Sequence, residues 1–353
     1  MLRFESLLTT ALIFGSTTFT LAQTGPDNAA KTNTSYVDEH GTAHVTRIVP
    51  VPTTISPEAQ AWLAQPKSDV DDHTPVAENR KNGDHRQETL AKDMQSMYPT
   101  TLTRDKIAGV PVRIITPPSI PADKRDCVLL NVHGGGFQAD WGSVAETVPI
   151  ASLTQTKVIA VLYRLSPENP FPAALDDAIA VYKELLKTYK PQKIVLYGTS
   201  AGAILTGEVA VKLKQTGLPL PAALGIFSGF GDFANRGDAE TIFGLSGLSG
   251  PLITRSTGHD DPYIGATDPR DPVISPIFAD LKGMPPTLFL TSERDLLLSG
   301  TVNLHRAFLK AGAETQLIVF DALPHAFWNQ FKLPESIEAD HMIADFFEKH
   351  LSK

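Results

Sequence analysis

The stretch that most constrains this chain covers residues 193–202 and reads KIVLYGTSAG. Its IVL run is short, apolar and rich in β-branched side chains, which predicts a buried strand. The Gly-Thr-Ser-Ala-Gly that follows predicts a sharp turn, because small residues let the strand and the next helix approach closely. Apolar residues between Ile204 and Leu213 predict that helix. The pattern is typical of a nucleophile elbow presenting Ser200, although five residues alone are also compatible with an ordinary surface turn.

Composition limits the classes of function. The chain has 353 residues, 42% of them hydrophobic, and a formal net charge of −8. This length and apolar content suit one large α/β domain with an appended piece. The acidic balance, and the absence of a basic run interleaved with aromatic residues, argue against nucleic-acid binding. The single cysteine, Cys127, allows no disulfide within the chain and reads as a buried small hydrophobic residue.

The first 22 residues resemble a targeting segment. Arg3 supplies a positive charge, an apolar stretch follows, and Thr-Leu-Ala up to Ala22 forms a small-residue cleavage site. We therefore predict a cleaved signal peptide over residues 1–22 and export to the periplasm or the medium. A disordered or helical N-terminal arm is the alternative. Polar residues interrupt the apolar run, so no permanent membrane span is expected.

Residues 23–105 differ in composition from the rest of the chain. They are rich in proline and mixed charge, so they cannot form a core alone, and we expect an arm over the main domain or a partial linker. Short helices are predicted at Pro57–Ala64 and Arg86–Met97, the first with Ser56 as its N-cap.

Residues 106–353 alternate short apolar strands with amphipathic helices. This order predicts a mostly parallel central sheet covered by helices on both faces. Residues 229–272 lack a clear strand and follow one, so we expect a cap insertion at the carboxyl edge of the sheet. The predicted strands are Val110–Thr116, Cys127–Val132, Val158–Tyr163, Ala222–Ser228, Thr287–Thr291 and Gln316–Phe320, besides the elbow strand. The remaining predicted helices are Val144–Thr154, Ala173–Leu186, Val302–Ala311 and Ile337–Leu351.

A second chemical motif, HGGGF, follows the predicted strand that ends at Val132. Consecutive glycines leave backbone N–H groups open to close approach by a ligand. We predict that Gly135 and Gly136, with the N–H of Ala201 after the nucleophile, form an oxyanion hole. His133 is expected to support the loop from beneath. A phosphate-binding loop is disfavoured, because neither GxxxxGK[ST] nor GxGxxG occurs in the chain.

Two more polar residues follow predicted strands. Asp295 comes shortly after one strand and His325 shortly after the last, so Ser200, Asp295 and His325 stand in the chain order of an α/β-hydrolase triad. His325 would take the proton from Ser200, while Asp295 would orient the imidazole. Glu293 and Asp321 compete for the acid role, and we expect Asp321 to brace the histidine loop instead. No histidine lies in H-E-x-x-H or beside a cysteine pair, which argues against a metal site.

From Ile107 to its end the chain resembles the bacterial hormone-sensitive-lipase-like esterases, known as family IV. The resemblance is most specific in YRLSPE, which begins at Tyr163, and in PFPAALDD, which begins at Pro170. It implies an α/β-hydrolase fold with a helical cap supplied largely by the N-terminal segment, and the oxyanion and triad residues above. It also implies supporting roles for Gly134 and Glu168. Thr199 matches the GTSAG branch of the family, and Ala326 stands where a glycine is common.

These observations predict a serine carboxylesterase for short- to medium-chain acyl esters, acting through an acyl-enzyme and needing no cofactor. Its partner is a small-molecule ester, and a homodimer is left open. We further expect residues 23–105 and 229–272 to form a lid over Ser200. One alternative is a non-catalytic ligand-binding protein on the same fold, as in the related plant gibberellin receptors, which have lost the histidine that stands here as His325. Another is an amidase or lactonase with the same triad.

Overall fold

The computed structural model describes residues 33–65, 74–252 and 261–351. The predicted signal peptide therefore lies outside the described residues. The chain divides into two units, Met1–Pro50 and Val51–Lys353. In the first unit, the described residues form an antiparallel hairpin of two solvent-exposed strands, β1 (Thr34–Val37) and β2 (Ala43–Thr46). The sequence did not predict this hairpin.

The second unit is built on an eight-stranded sheet with the order β10-β9-β8-β7-β5-β6-β4-β3. Neighbouring strands from β10 to β6 are parallel, whereas β4 pairs antiparallel with both β6 and β3. The strands are β3 (Thr101–Ile107), β4 (Val110–Thr116), β5 (Val128–Val132), β6 (Lys157–Val161), β7 (Ile194–Thr199), β8 (Ala223–Phe227), β9 (Thr287–Arg294) and β10 (Thr315–Pro324).

Helices cover both faces of this sheet. Two hydrophobic clusters hold them there, one including side chains of α4, α5 and α7 and the other side chains of α3 and α8. The predicted α/β fold with a mostly parallel sheet is thus confirmed. The helices are α1 (Pro57–Leu63), α2 (Val76–Met97), α3 (Val148–Thr154), α4 (Ala173–Leu185), α5 (Ala201–Gln215), α6 (Ala239–Ile242), α7 (Leu298–Lys310) and α8 (Pro334–Leu351).

No helix in the described ranges combines the length and the apolar character that crossing a bilayer requires.

Several elements differ in their bounds from the predicted form, and three of the differences have a clear cause in the sequence. Strand β3 was missed because its sequence, TLTRDKI, is polar and lies mostly exposed at the sheet edge; it also straddles the predicted domain start at residue 106. Helix α2 begins at Val76, whereas the prediction began at Arg86. The earlier turns were missed because the helix surface is largely polar and shows no apolar stripe. The helix predicted from Val144 begins at Val148, because Pro149 fits only the first turn of a helix.

The sheet topology brings the two chemical motifs together. From β5 the chain passes to β6 on one side and later returns to β7 on the other side of β5. Ligands bind in the crevice that such a reversal opens at the carboxyl ends of the strands. Val132 at the end of β5 is in register with Gly198 near the end of β7. The HGGG loop and the serine turn therefore emerge side by side.

Candidate active site

Ser200 occupies the sharp turn between β7 and α5. Its backbone has φ 57° and ψ −121°, a strained conformation for a residue with a side chain, and its N–H donates to the Phe227 carbonyl over 2.9 Å. A Cβ atom at Gly198 would lie 2.2 Å from the Val132 carbonyl oxygen, and one at Gly202 would lie 1.9 Å from it. Both glycines are therefore required for β7 and α5 to approach β5, which leaves the Ser200 side chain partly exposed at the crevice.

The structure brings the three predicted polar residues into one hydrogen-bonded chain. The Nε2 atom of His325 lies 3.0 Å from the Ser200 Oγ atom, and its Nδ1 atom lies 2.8 Å from the Asp295 Oδ1 atom. Asp295 directly follows β9 and His325 directly follows β10, so neighbouring parallel strands place both at the carboxyl edge. Ala326 after the histidine takes a left-handed conformation, φ 51°, which accounts for the glycine common there among the esterases that this chain resembles.

Asp295 is completely buried and fully hydrogen-bonded. Its Oδ1 atom accepts the Leu297 N–H over 2.9 Å, and its Oδ2 atom accepts hydroxyl protons from Thr291, over 2.8 Å, and from Ser228. Burial alone would raise the pKa of Asp295, but the facing His325 and these donors hold it below its usual value. The carboxylate is therefore ionised where it meets the imidazole. Ser228 and Thr291 were not predicted, since serine and threonine at strand ends carry no distinguishing pattern.

The competing carboxyl groups have hydrogen-bond partners other than the imidazole. Glu293 and Asp321 are hydrogen-bonded to each other, which raises the pKa of Glu293, and Asp321 also accepts the Thr54 hydroxyl proton. Among the described residues, Asp295 is the carboxylate hydrogen-bonded to His325. The structure thus separates Asp321 from the chain that links Ser200, His325 and Asp295.

The HGGG loop offers backbone donors to the crevice. Gly134 is buried and its N–H is already committed to the Glu146 Oε1 atom, 2.8 Å away. Within the described part of the chain, the N–H groups of Gly135, Gly136 and Ala201 donate to no protein acceptor. Gly135 and Gly136 have φ of 128° and 61°, which side chains rarely adopt. The three predicted oxyanion donors are therefore available for a ligand, and Gly134 is not.

His133 lies beneath this loop with 1% of its surface exposed. Its Nδ1 atom is 2.9 Å from the Gly134 carbonyl oxygen, and its ring stacks on Tyr163 with centroids 4.3 Å apart. The Tyr163 hydroxyl donates to the His133 carbonyl over 2.6 Å. These contacts fix the first residues of the loop. The His133 imidazole is buried beneath the loop and is not exposed to the crevice.

Glu168 connects α2 to the main domain through Arg80. Its carboxylate accepts two hydrogen bonds from Arg80, 3.0 and 2.6 Å long. The same guanidinium donates to the carbonyl oxygens of Ser166, over 2.9 Å, and of Gln138, over 2.8 Å. Arg80 therefore links α2 to the segment that directly follows the HGGG loop.

A second contact from α2 supports this segment. The Gln87 Oε1 atom accepts the Val144 N–H over 2.7 Å, and Gln87 is fully buried. A Cβ atom at Gly83 would lie 2.7 Å from the Asp140 carbonyl oxygen, so α2 approaches the segment closely. Helix α2 therefore lies directly against residues 138–145.

Aromatic side chains from the 229–272 stretch pack at the end of the HGGG loop. Tyr263 stacks on Phe137, the residue after the three glycines, with ring centroids 3.4 Å apart, and Phe233 lies against Tyr263 at 6.1 Å. The Tyr263 hydroxyl donates to the buried Glu208 carboxyl over 2.6 Å. Burial raises the pKa of Glu208 well above its usual value.

A strained serine turn after β7, a histidine after the last strand and a buried aspartate after the strand beside it define the α/β-hydrolase class. The α/β-hydrolase family model matches residues 129–329. An acetyl-hydrolase from Streptomyces hygroscopicus is 34% identical over 236 residues, covering 64% of this chain and 77% of that protein.

Two solved structures agree with this match. An esterase superimposes with a TM-score of 0.76 at 29% identity, covering 86% of this chain and 97% of its own. An esterase from the bacterial hormone-sensitive lipase family superimposes with a TM-score of 0.70 at 29% identity, covering 84% and 99%. The chain belongs to the α/β-hydrolase family and, within it, to the carboxylic ester hydrolases of the hormone-sensitive-lipase type.

Proposed function

We propose that the protein is a serine carboxylesterase in which Ser200 is the nucleophile. The observation that carries this proposal is the continuous hydrogen-bonded chain from Ser200 through His325 to Asp295, with links of 3.0 and 2.8 Å. His325 takes the Ser200 proton as the oxygen attacks the ester carbonyl, and the ionised Asp295 stabilises the imidazolium that forms.

The carbonyl oxygen becomes negative in the tetrahedral intermediate. The uncommitted N–H groups of Gly135, Gly136 and Ala201 are the donors that stabilise it, and Ala201 adds the positive end of the α5 dipole. His325 then donates its proton to the leaving alcohol, which leaves an acyl group on Ser200. Water, deprotonated by His325, attacks this acyl-enzyme and releases the acid.

The substrates that fit this proposal are short- to medium-chain acyl esters. Helix α2 packs against residues 138–145, and Tyr263, which also contacts Phe233, stacks on Phe137 directly after the three glycines. These contacts support a lid over Ser200 to which α2, Phe233 and Tyr263 contribute, and such a lid would enclose a pocket of limited depth. The related Streptomyces hygroscopicus protein is named an acetyl-hydrolase, which is in line with a small acyl group.

A fluorophosphonate probe tests the nucleophile. We expect stoichiometric labelling of Ser200, identified by peptide mass spectrometry, together with hydrolysis of p-nitrophenyl butyrate. Ser200→Ala should lose both while keeping the thermal unfolding midpoint of the wild type. Ser336→Ala, which removes a buried hydroxyl on α8, is the matched control and should retain both. Labelling of another residue, or full activity of Ser200→Ala, would exclude the mechanism.

The other readings of the sequence gain no comparable support. A ligand-binding protein does not require an imidazole at the serine, whereas His325 lies 3.0 Å from Ser200. An amidase or lactonase would use the same residues and differ only in the substrate. Export, homodimerisation and membership of the GTSAG branch remain predictions from the sequence.

A further inference from the structure

Glu146 is a buried carboxyl group beneath the HGGG loop, outside the residues that the sequence singled out. Only 5% of its surface is exposed. Its Oε1 atom accepts the Gly134 N–H over 2.8 Å, and its Oε2 atom accepts from Asn131 Nδ2 over 3.0 Å. Asn131 belongs to β5, so the carboxyl group links the loop to the strand from which it emerges.

The backbone of Glu146 is fixed as firmly as its side chain. Its N–H donates to the Gly142 carbonyl over 2.8 Å, and its carbonyl oxygen accepts the Tyr197 hydroxyl proton over 3.0 Å. Tyr197 lies in β7, the strand that leads to Ser200, and the backbone of Thr199 in the same strand lowers the pKa of the carboxyl group. Glu146 therefore connects the strand before the serine with the loop that faces it.

Glycines at positions 134 and 142 leave room for this carboxyl group. A Cβ atom at Gly142 would lie 1.8 Å from Glu146 Oε1, and one at Gly134 would lie 3.2 Å from the same oxygen. A side chain at residue 142 would thus displace the carboxyl group from the Gly134 N–H. This gives a way to disturb the contact without replacing Glu146 itself.

The protonation state follows from burial. Burial raises the pKa of Glu146 to about 8, against the lowering effect of Asn131 and Gly134, and the Asp140 carboxylate raises it further. Tyr163 and Tyr197 lie nearby with pKa values raised by burial, so they remain neutral. The Asn131 Oδ1 atom is buried without a partner. Rotation of that amide by half a turn lets it accept the proton of a neutral carboxyl group.

We propose that Glu146 is a positioning residue for ester hydrolysis: by taking the Gly134 N–H, it sets the loop so that the Gly135 and Gly136 N–H groups face the reacting carbonyl oxygen. The inference rests on the proposed serine mechanism. Because a displacement of about 1 Å at a reacting group can lower a rate on the order of 100-fold, the anchor of the loop matters to turnover.

Glu146→Gln and Glu146→Ala test the proposal. Glutamine can accept the Gly134 N–H and donate to Asn131 Oδ1, so kcat on p-nitrophenyl butyrate at pH 7 should stay within about threefold of the wild type. Alanine leaves Gly134 without an acceptor, and kcat should fall about 10- to 100-fold with KM nearly unchanged. Rates are taken per site titrated with a fluorophosphonate, so partly unfolded protein does not lower them.

A transition-state analogue separates positioning from a merely structural role. A trifluoromethyl ketone forms an oxyanion with Ser200, so its Ki should rise in Glu146→Ala in parallel with the loss of kcat/KM. Gly142→Ala should cause the same two changes with Glu146 intact. It also keeps the proposal testable if Glu146→Ala does not fold. Asp340→Asn replaces an equally buried carboxyl group on α8 and should change neither.

Retention of the wild-type kcat and Ki by titrated Glu146→Ala or Gly142→Ala would overturn the proposal, as would an equal loss in Asp340→Asn. Equal losses in Glu146→Gln and Glu146→Ala would show that the charge, not the acceptor geometry, is needed, and would also overturn it. Failure of the serine mechanism is distinguishable, because the wild type would then show no labelling at Ser200.

Discussion

The Nδ1 atom of His325 lies 2.8 Å from Asp295 Oδ1, while the other oxygen of that carboxylate is held by Ser228 and Thr291. The imidazole therefore meets a buried acceptor that cannot rotate away from it. Its opposite nitrogen is left with the Ser200 hydroxyl, 3.0 Å away. One fixed carboxylate thus decides both the tautomer of the histidine and the direction in which it can accept a proton.

Asp295→Asn should lower kcat by a factor on the order of 10⁴, because an amide facing Nδ1 favours the wrong tautomer; that magnitude comes from serine proteases. Asp321→Asn is the control, since Asp321 bonds Glu293 and Thr54 instead of the imidazole. Its effect should be less than about tenfold. Steady-state kinetics on p-nitrophenyl butyrate compare the two variants, and a larger loss in Asp321→Asn would reassign the acid.

Ser228→Ala should destabilise the protein by about 1.5–3 kcal/mol at pH 7, the range for a hydrogen bond to a charged group. The Ser228 donor helps lower the pKa of Asp295, so its loss moves that pKa up. A lowered carboxyl pKa stabilises the fold above the unfolded value of 3.8, and this is lost as pH falls through the folded value. The free energy of unfolding, measured with urea, should therefore begin to fall at a higher pH in Ser228→Ala than in the wild type as the solution is made more acidic. A fall in the free energy of unfolding at the same pH in both proteins would contradict the role given to this hydroxyl.

Glu146 should contribute a pH dependence of stability opposite in sign to that of Asp295. Its folded pKa is raised from 4.5 to about 8, so the folded state holds its proton more tightly than the unfolded state. The stability that this contributes is present below pH 4.5 and is lost as pH rises towards about 8, at up to about 1.4 kcal/mol per pH unit. The stability of the wild type minus that of Glu146→Gln should therefore fall across this window. Urea titrations at pH 5, 6, 7 and 8 measure this difference in the free energy of unfolding. A difference that stays constant over these pH values would contradict the raised pKa of Glu146.

Gln87→Ala should loosen the segment after the HGGG loop. The buried Val144 N–H would lose its acceptor, which costs about 1–3 kcal/mol of unfolding free energy. Because this segment continues into Glu146, kcat should fall as well. Glu88→Ala changes an exposed neighbour on α2 and serves as the control, with neither effect expected. Equal thermal midpoints and rates in the two variants would show that α2 does not support the loop.

The proposed lid predicts a limited acyl length. Each additional CH₂ that is buried favours binding by about 0.8 kcal/mol until the pocket ends. The kcat/KM for p-nitrophenyl esters should rise from acetate towards butyrate or hexanoate and then fall for long chains. Removing residues 23–100 should lower activity on short esters. A soluble truncated protein that hydrolyses short esters at the full rate, or activity that increases through palmitate, would argue against this lid.

Local sequence was sufficient for the parts of the site that depend on chain geometry. Gly135 and Gly136 are required by their left-handed backbone conformation, whereas Gly198 and Gly202 are required by the close approach of β7 and α5 to β5. The buried strands were predicted as well, since an apolar β-branched run has few alternatives. Polar edge strand β3 and the polar helix α2 were missed or shortened, because their conformation depends on neighbours distant in the chain.

By itself, the sequence determined the strand–turn–helix around Ser200, the HGGG loop, the mostly parallel sheet and the order of the three polar residues. Only the tertiary structure decided that Asp295, rather than Glu293 or Asp321, meets His325, since all three lie near strand ends. It alone revealed Ser228, Thr291 and Glu146. Their contacts join segments up to 67 residues apart, between Ser228 and Asp295, and no local pattern records them. The physical reason is that hydrogen bonds to a buried carboxyl group depend on which strands become neighbours.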